Sequence, residues 1–293
     1  MPLIRYPGAK TKLYGRLRRL FPEQIIHELW AHSQPMEYRE PFFGSGAIGF
    51  QILDSLSSKC KVWLNDKDED LVAMWRTVLY DMHALMRAVT SYTPSVETFY
   101  EFKRLDGTGT GTEDERGFRK LVLHRTSMSG FGVMSGGPIG GRKQLHPEYN
   151  VGCRWNPESI KRQIRESHSA LKRFDDIRIT CQDFEQLITT AGERCFVYAD
   201  PPYIEKGSQL YKHAMSEADH RRLYNALRGT KAHWVLSYDD HELVRQLYSD
   251  WTVIHELEVR YSNAVCGIDR AKPVRPKNKE VAIVPISIPT GSR

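Results

Sequence analysis

Cys195-Phe196-Val197-Tyr198-Ala199-Asp200-Pro201-Pro202-Tyr203 is a short apolar run stopped by an acid and two prolines. Proline cannot donate to a β-ladder and turns the chain out of the sheet, so the run reads as a buried strand that ends abruptly. In open α/β sheets the space beyond a strand's carboxyl end is where ligands bind. An acidic side chain, backbone carbonyls held rigid by proline and an exposed aromatic face can together hold a planar amine there. The oxygens accept its N–H bonds and the ring stacks on it. The plainer reading of the same residues is a strand end with a Pro-Pro turn and a core tyrosine.

Far upstream, Glu40-Pro41-Phe42-Phe43-Gly44-Ser45-Gly46-Ala47-Ile48-Gly49 contains G-x-G-x-x-G over residues 44–49. Such glycines let the chain turn tightly from strand to helix and approach a cofactor closely. The next strand-like run, Cys60 to Leu64, is followed by Asn65-Asp66, about where a doubly wound sheet places an acid that takes a ribose hydroxyl. S-adenosylmethionine and a nicotinamide dinucleotide both carry an adenosine. Asp66 and the glycines therefore leave the choice of cofactor open.

Taken together these segments resemble the DNA adenine-N6 methyltransferases of the Dam type. Arg5-Tyr6-Pro7-Gly8-Ala9-Lys10 looks like the family's first motif, Glu40 to Gly46 like its cofactor loop, and Asp200 to Tyr203 like its catalytic tetrapeptide. The resemblance covers 1–75 and 175–293 well, and the long insertion between cofactor loop and tetrapeptide is that of the group containing Dam itself. It departs from the family at Tyr6, where Trp is common, and at Ala9, where Gly is common; neither change removes chemistry.

The resemblance implies a set of roles. Tyr6, Lys10, Phe43, Gly44, Gly46, Asp66, Asp200 and, less strongly, Asp183 and Phe184 would contact S-adenosylmethionine. Asp200, Pro201, Pro202 and Tyr203 would be catalytic, and double-stranded DNA would be the substrate. The adenine N6 lone pair is delocalised into the ring; N–H bonds accepted by the Asp200 side chain and the Pro201 carbonyl would localise it. The base would have to flip out of the duplex, at a cost of a few kcal/mol. Stacking on Tyr203 would return about 1–3 kcal/mol of that. No Pro-Cys dipeptide of the kind cytosine-C5 enzymes use is present.

The 293 residues, 40% of them hydrophobic, allow one large or two ordinary domains with a substantial core. No run of about 18 apolar residues appears, and Met1 to Lys12 has no apolar signal region, which points to a cytoplasmic protein that does not span a membrane. The five cysteines, at 60, 153, 181, 195 and 266, lack C-x-x-C spacing, which argues against a disulfide framework and a zinc knuckle. His27 and His32 imitate a zincin motif, but at i,i+5 they would not share a helix face, so no metal is expected.

Charge is concentrated by region. Arg116 to Arg165 holds ten Lys/Arg against two acids, an excess larger than the +6 of the whole chain, interleaved with glycine-rich loops at 127–132 and 135–143. Basic side chains on such loops suit a phosphate backbone and base edges, against the alternative of a solvated surface with a mobile loop. The DNA-contact candidates are Arg5, Arg116, Arg119, Lys120, Arg125, Arg142, Lys143 and Arg154. A second basic run, 270–279, reads equally as a loop near nucleic acid or as a connection.

Punctuation gives the organisation. Helices are expected at Gly46–Leu56, Asp68–Tyr80, after Asn156-Pro157-Glu158 and at Ser216–Leu227; Thr108-Gly109-Thr110-Gly111-Thr112 should break regular structure. Strands are expected at Ile177–Thr180, Phe196–Ala199, His233–Ser237, Thr252–Val259 and Val281–Ile288, the last two hairpin-like. This alternation means an α/β, doubly wound, mostly parallel sheet, Rossmann-like as in methyltransferases. Residues 1–75 and 175–293 would form the cofactor-binding catalytic domain, and 76–174 an inserted, largely helical target-recognition domain. A restriction endonuclease is a candidate system partner. The competing functions are a methyltransferase acting on RNA or on a protein glutamine amide, an NAD enzyme, and a non-catalytic DNA-binding relative; the last would need a damaged motif, and none is damaged.

Overall fold

The computed structural model describes residues 3–4, 10, 13–22, 36–205, 207, 212–259 and 278–286. A seven-stranded sheet is formed by β1 (Glu37–Glu40), β2 (Lys61–Asn65), β3 (Ile177–Thr180), β4 (Cys195–Ala199), β5 (His233–Asp239), β6 (Thr252–Val259) and β7 (Asn278–Pro285). The order is β3-β2-β1-β4-β5-β7-β6, and only β7 runs antiparallel to its neighbours. The strand order reverses between β1 and β4, which pair in parallel, so a crevice opens beyond their carboxyl ends.

The helices in chain order are α1 (Tyr14–Leu17), α2 (Gly49–Ser55), α3 (Glu69–Tyr80), α4 (Met82–Ser91), α5 (Val96–Leu105), α6 (Glu113–Thr126), α7 (Pro157–Lys172), α8 (Phe184–Thr189), α9 (Glu217–Gly229) and α10 (Glu242–Tyr248). They cover both faces of the sheet. Phe196 and Tyr198 of β4 join a core shared with α2, α3 and α7, while Cys195, Val197 and Ala199 join a second core shared with α8, α9 and α10. Alternation along a strand sends successive side chains to opposite faces, so a strand covered on both sides reads as a continuous apolar run. All of β4 is buried.

Capping chemistry sets most helix starts. Asn156 Oδ1 accepts the Ser159 amide at 2.9 Å with Pro157 next to it, and Ser216 and Asp219 form a reciprocal capping box. The Thr-Gly repeat separates α5 from α6, and its last residue, Thr112, caps α6 with Glu115. The helix expected from Gly46 begins only at Gly49, because Gly46 sits at φ +68° and cannot be helical. The final strand starts earlier than expected, at Asn278.

One central strand carried no apolar signal. β1 is Glu-Tyr-Arg-Glu, yet three of its four residues are buried. Arg39 reaches the end of α8, donating to the Leu187 carbonyl at 2.8 Å and Thr190 Oγ1 at 2.7 Å, and lies 4.9 Å over the Trp63 ring. Glu40 accepts a 2.7 Å bond from the Tyr38 hydroxyl. The chain leaves the sheet after β2 and returns at β3, and Val78, Val89, Leu121, Ile160 and Ile164 of the intervening 76–174 segment share one buried cluster with the sheet.

Candidate active site

Three strand ends meet at the crevice. After β1, Gly44 and Gly46 take φ +51° and +68°, and Gly49 packs against the Glu40 carboxylate and the Phe43 ring, where a Cβ would fall 2.6 Å from the ring. The three glycines of the motif thus do different work: two turn the chain and the third permits close packing. Trp75 on α3 donates to the Gly44 carbonyl at 2.9 Å and packs with Phe43 and Phe50, fixing the loop from beneath.

After β2, Asp66 accepts the Gly44 amide on Oδ2 at 2.8 Å and the Asp68 amide on Oδ1 at 2.9 Å. Burial pushes its carboxyl up to about 6. Each oxygen keeps a lone pair, enough to accept the hydroxyls of a ribose.

After β4, Asp200 Oδ1 takes both the Lys10 ammonium and, at 3.0 Å, the Ser237 hydroxyl. Oδ2 has no partner among the described residues. Burial raises the Asp200 carboxyl above the ordinary carboxylate range despite Lys10. For the Lys10 ammonium the balance runs the other way: burial opposes the charge, but Asp200 and Glu280 outweigh it and hold it above its usual value.

A cavity of about 500 Å³ lies between these ends, walled by Phe42, Phe184, Asp66, Gln182, Asp183, Asp200 and Pro202. The Phe42 and Phe184 ring centroids are 5.4 Å apart. Asp183 caps α8, accepting the Glu185 amide at 3.0 Å, and pairs with Arg222 at 2.8 Å. The cavity's size is that of small-molecule sites. A carboxylate suited to ribose at one side, an aromatic wall suited to a flat base and a second carboxylate suited to a cationic group fit S-adenosylmethionine.

The D12 class N6 adenine-specific DNA methyltransferase family matches residues 6–263, most of the chain. The chain belongs to this family. It is an S-adenosylmethionine-dependent DNA methyltransferase that modifies N6 of adenine. Its relatives include the type II methyltransferase M1.LlaDCHI of Lactococcus lactis subsp. cremoris, 26% identical over 92% of each chain. M.MjaIII of Methanocaldococcus jannaschii is 26% identical over 69% of this chain and 68% of its own. M.CviBI of Paramecium bursaria Chlorella virus NC1A is 24% identical over 89% and 90%. Among solved structures, TrmN from Thermus thermophilus aligns at 14% identity and a TM-score of 0.38, over 94% of this chain and 49% of that protein, so the chain spans about half of its length.

Several expected site residues sit elsewhere in this methyltransferase. Phe43 is buried beneath the loop against Phe50 and Trp75, and Phe42 faces the cavity instead. Lys10 is buried behind the tetrapeptide, against Asp200, rather than among the cavity's walls. The Tyr203 ring is 8% exposed, not an open face, because its hydroxyl is tied to Glu280 at 2.7 Å and Lys10 lies 5.1 Å over one side.

Four of the basic DNA-contact candidates are engaged by other residues of the protein, Arg119 and Lys120 buried and Arg116 and Arg125 half-buried. The Lys120 ammonium is 2% exposed and bound to Asp68 and Asp106 at 2.5 and 3.0 Å, so it cannot reach DNA. Arg119 is buried and donates to the Thr110 carbonyl. Arg116 faces Glu69 and Asp70, and Arg125 donates to Gln163. Arg142 and Lys143 are exposed and Arg154 half-exposed. Arg5, Tyr6 and residues 270–277 lie outside the described residues. Sequence reasoning missed Phe42, Lys212, Ser237 and Glu280; the signal for the last two was a polar residue at the end of an apolar run, Ser237 after Trp234–Leu236 and Glu280 before Val281–Val284.

Among the described residues no helix is long and apolar enough to cross a membrane.

Proposed function

We propose that this chain is a site-specific enzyme of the Dam-type group that flips its target adenine and captures the exocyclic amine at Asp200 to Tyr203. The observation that carries the reading is the division of labour on Asp200: Lys10 and Ser237 both engage Oδ1, which leaves Oδ2 to accept from an amine at the cavity. The Pro201 carbonyl, held rigid by the following proline, accepts the second N–H. With both bonds accepted, the nitrogen lone pair is localised for attack, and no covalent bond to the protein is needed. Tyr203, its hydroxyl tied to Glu280, is the ring on which the flipped base would stack.

Asp66 would hold the cofactor's ribose, Phe42 and Phe184 its adenine, and Asp200 would stand beside its cationic centre. When bound, S-adenosylmethionine supplies an activated methyl group. Outside this pocket, Arg142, Lys143 and Arg154 of the insertion are the described candidates for contact with duplex DNA, and residues 76–174 form the recognition unit. The type II names of the relatives support a cytoplasmic restriction endonuclease as the system partner.

Sequencing DNA from cells that express the chain, with detection of the modified base, tests the reading. N6-methyladenine in one fixed context is the expected result, absent with Asp200→Ala. Modified RNA or protein with unmodified DNA would refute it.

A further inference from the structure

We propose that Glu280, the third residue of β7 and its first acid, is a positioning residue for methyl transfer, clamping Tyr203 and Lys10 so that the Asp200 carboxylate stays divided between protein and substrate. The geometry follows from the antiparallel strand. Because β7 opposes the rest of the sheet, its first residues lie at the edge where β4 and β5 end, and Glu280 stands in register with Asp239. It is 2% exposed. One oxygen accepts the Tyr203 hydroxyl at 2.7 Å; the other meets the Lys10 ammonium at 3.1 Å. A single carboxylate therefore fixes the ring expected to receive the base and shares the cation that holds the catalytic acid.

The charges make the sharing matter. With Glu280 present, one buried lysine serves two carboxylates, and neither monopolises it. Without that negative charge Lys10 and Asp200 become a one-to-one pair, and Asp200 becomes a weaker acceptor for an amine. The groups facing Glu280 are Lys10, Tyr203, Asp200 and Asp239, with Tyr198, Tyr238 and Glu40 coupled to the same cluster. Glu280 is among the causes that raise the Asp200 carboxyl, after burial. Its removal accordingly moves the ionisation of Asp200 toward lower pH.

The inference rests on the assignment of Asp200 and Tyr203 above, so the test separates the two. Steady-state methylation of duplex DNA is compared for wild type, Asp200→Ala, Glu280→Gln and Tyr203→Phe, as a function of pH. Glu280→Gln keeps the shape and an acceptor for the Tyr203 hydroxyl but loses the charge. It is expected to lower kcat at least thirtyfold, to change KM for S-adenosylmethionine less than threefold, and to move the acid limb of kcat to lower pH. A purely structural role would change stability or both KM values and leave the limb in place. Wild-type turnover by Asp200→Ala overturns the underlying assignment. An inactive Asp200→Ala beside a Glu280→Gln enzyme with wild-type kcat and an unshifted limb overturns the role of Glu280 alone. Should Glu280→Gln fail to fold, Tyr203→Phe decides: a tenfold or greater loss of kcat at unchanged cofactor KM supports the clamp, and wild-type kcat overturns it.

Discussion

At the scale of single residues, the two acids at the crevice are asked to do different things, and their surroundings differ accordingly. Asp200→Ala should abolish methyl transfer while cofactor affinity falls much less, since its carboxylate acts chiefly on the amine; turnover and calorimetric affinity measured on one preparation check this. Asp66→Ala removes charge-assisted hydrogen bonds worth about 1.5–3 kcal/mol each, so S-adenosylmethionine binding should weaken at least tenfold. Asp66 also predicts a pH dependence with a definite sign. Burial holds its carboxyl at about 6, and only the ionised form accepts two hydroxyls. Affinity should be flat above pH 7 and fall about tenfold per unit below 6, with proton release on binding near pH 6. Calorimetry in buffers of different ionisation enthalpy reads both; a flat profile from pH 5 to 8 would remove Asp66 from the ribose. Stability of the free protein should follow the opposite trend. A raised carboxyl disfavours the folded state when ionised, so this contribution to stability improves as pH falls through 6 toward 4.

At the scale of elements, α6 separates sequence from structure most sharply. Its basic residues read as a nucleic-acid face, yet Lys120 bonds to Asp68 at the start of α3 and to Asp106 at the end of α5. Lys212, from the segment after the tetrapeptide, joins the same acids at 2.5 Å to Asp106 and 3.9 Å to Asp68. Removing one partner of a buried pair leaves an uncompensated charge, which costs about 3–5 kcal/mol. Lys120→Ala should therefore lower the unfolding free energy from denaturant titration by about that amount, seen as a lower midpoint, whereas a loss confined to DNA affinity would restore it to the DNA-facing surface. Count of charge along a chain cannot distinguish these cases, because the acids that bury Lys120 are 14 and 52 residues away. The same limit hid β1, whose Glu-Tyr-Arg-Glu offers no periodicity and is buried only because α8 supplies carbonyls to Arg39. What was legible was local: the prolines ending β4, the caps of α7 and α9, and the glycine loop. Phe42 and Phe43 are adjacent and identical, so only the packing of Trp75 and Phe50 tells which one faces the cavity.

At the scale of the whole molecule, the sheet and the insertion share a core, and the basic excess is thinner on the surface than in the sequence. Of the eight candidates for DNA contact, Arg116, Arg119, Lys120 and Arg125 are committed to internal partners, and Arg142, Lys143 and Arg154 remain among the described residues. These three should divide by geometry. The Arg142 guanidinium lies 4.5 Å over the Tyr100 ring and its Nε donates to the Tyr100 hydroxyl at 3.1 Å, which leaves the terminal nitrogens of a held, planar fork to face outward. Such a fork suits the paired acceptors of guanine in the major groove. Lys143, exposed beside it, is a point charge without that geometry. Lys143→Ala should weaken binding to every sequence alike and reduce the dependence of log K on log salt by about 0.9. Arg142→Ala, and more mildly Tyr100→Ala, should instead relax the preference at one base pair, with a loss of about 1–3 kcal/mol of discrimination. Binding and methylation of a randomised duplex pool at two salt concentrations distinguish the outcomes. If neither substitution changes the salt slope or the preferred site, the glycine-rich loop at 135–143 does not read DNA, and recognition must be sought outside that loop, with Arg154 the next residue to replace.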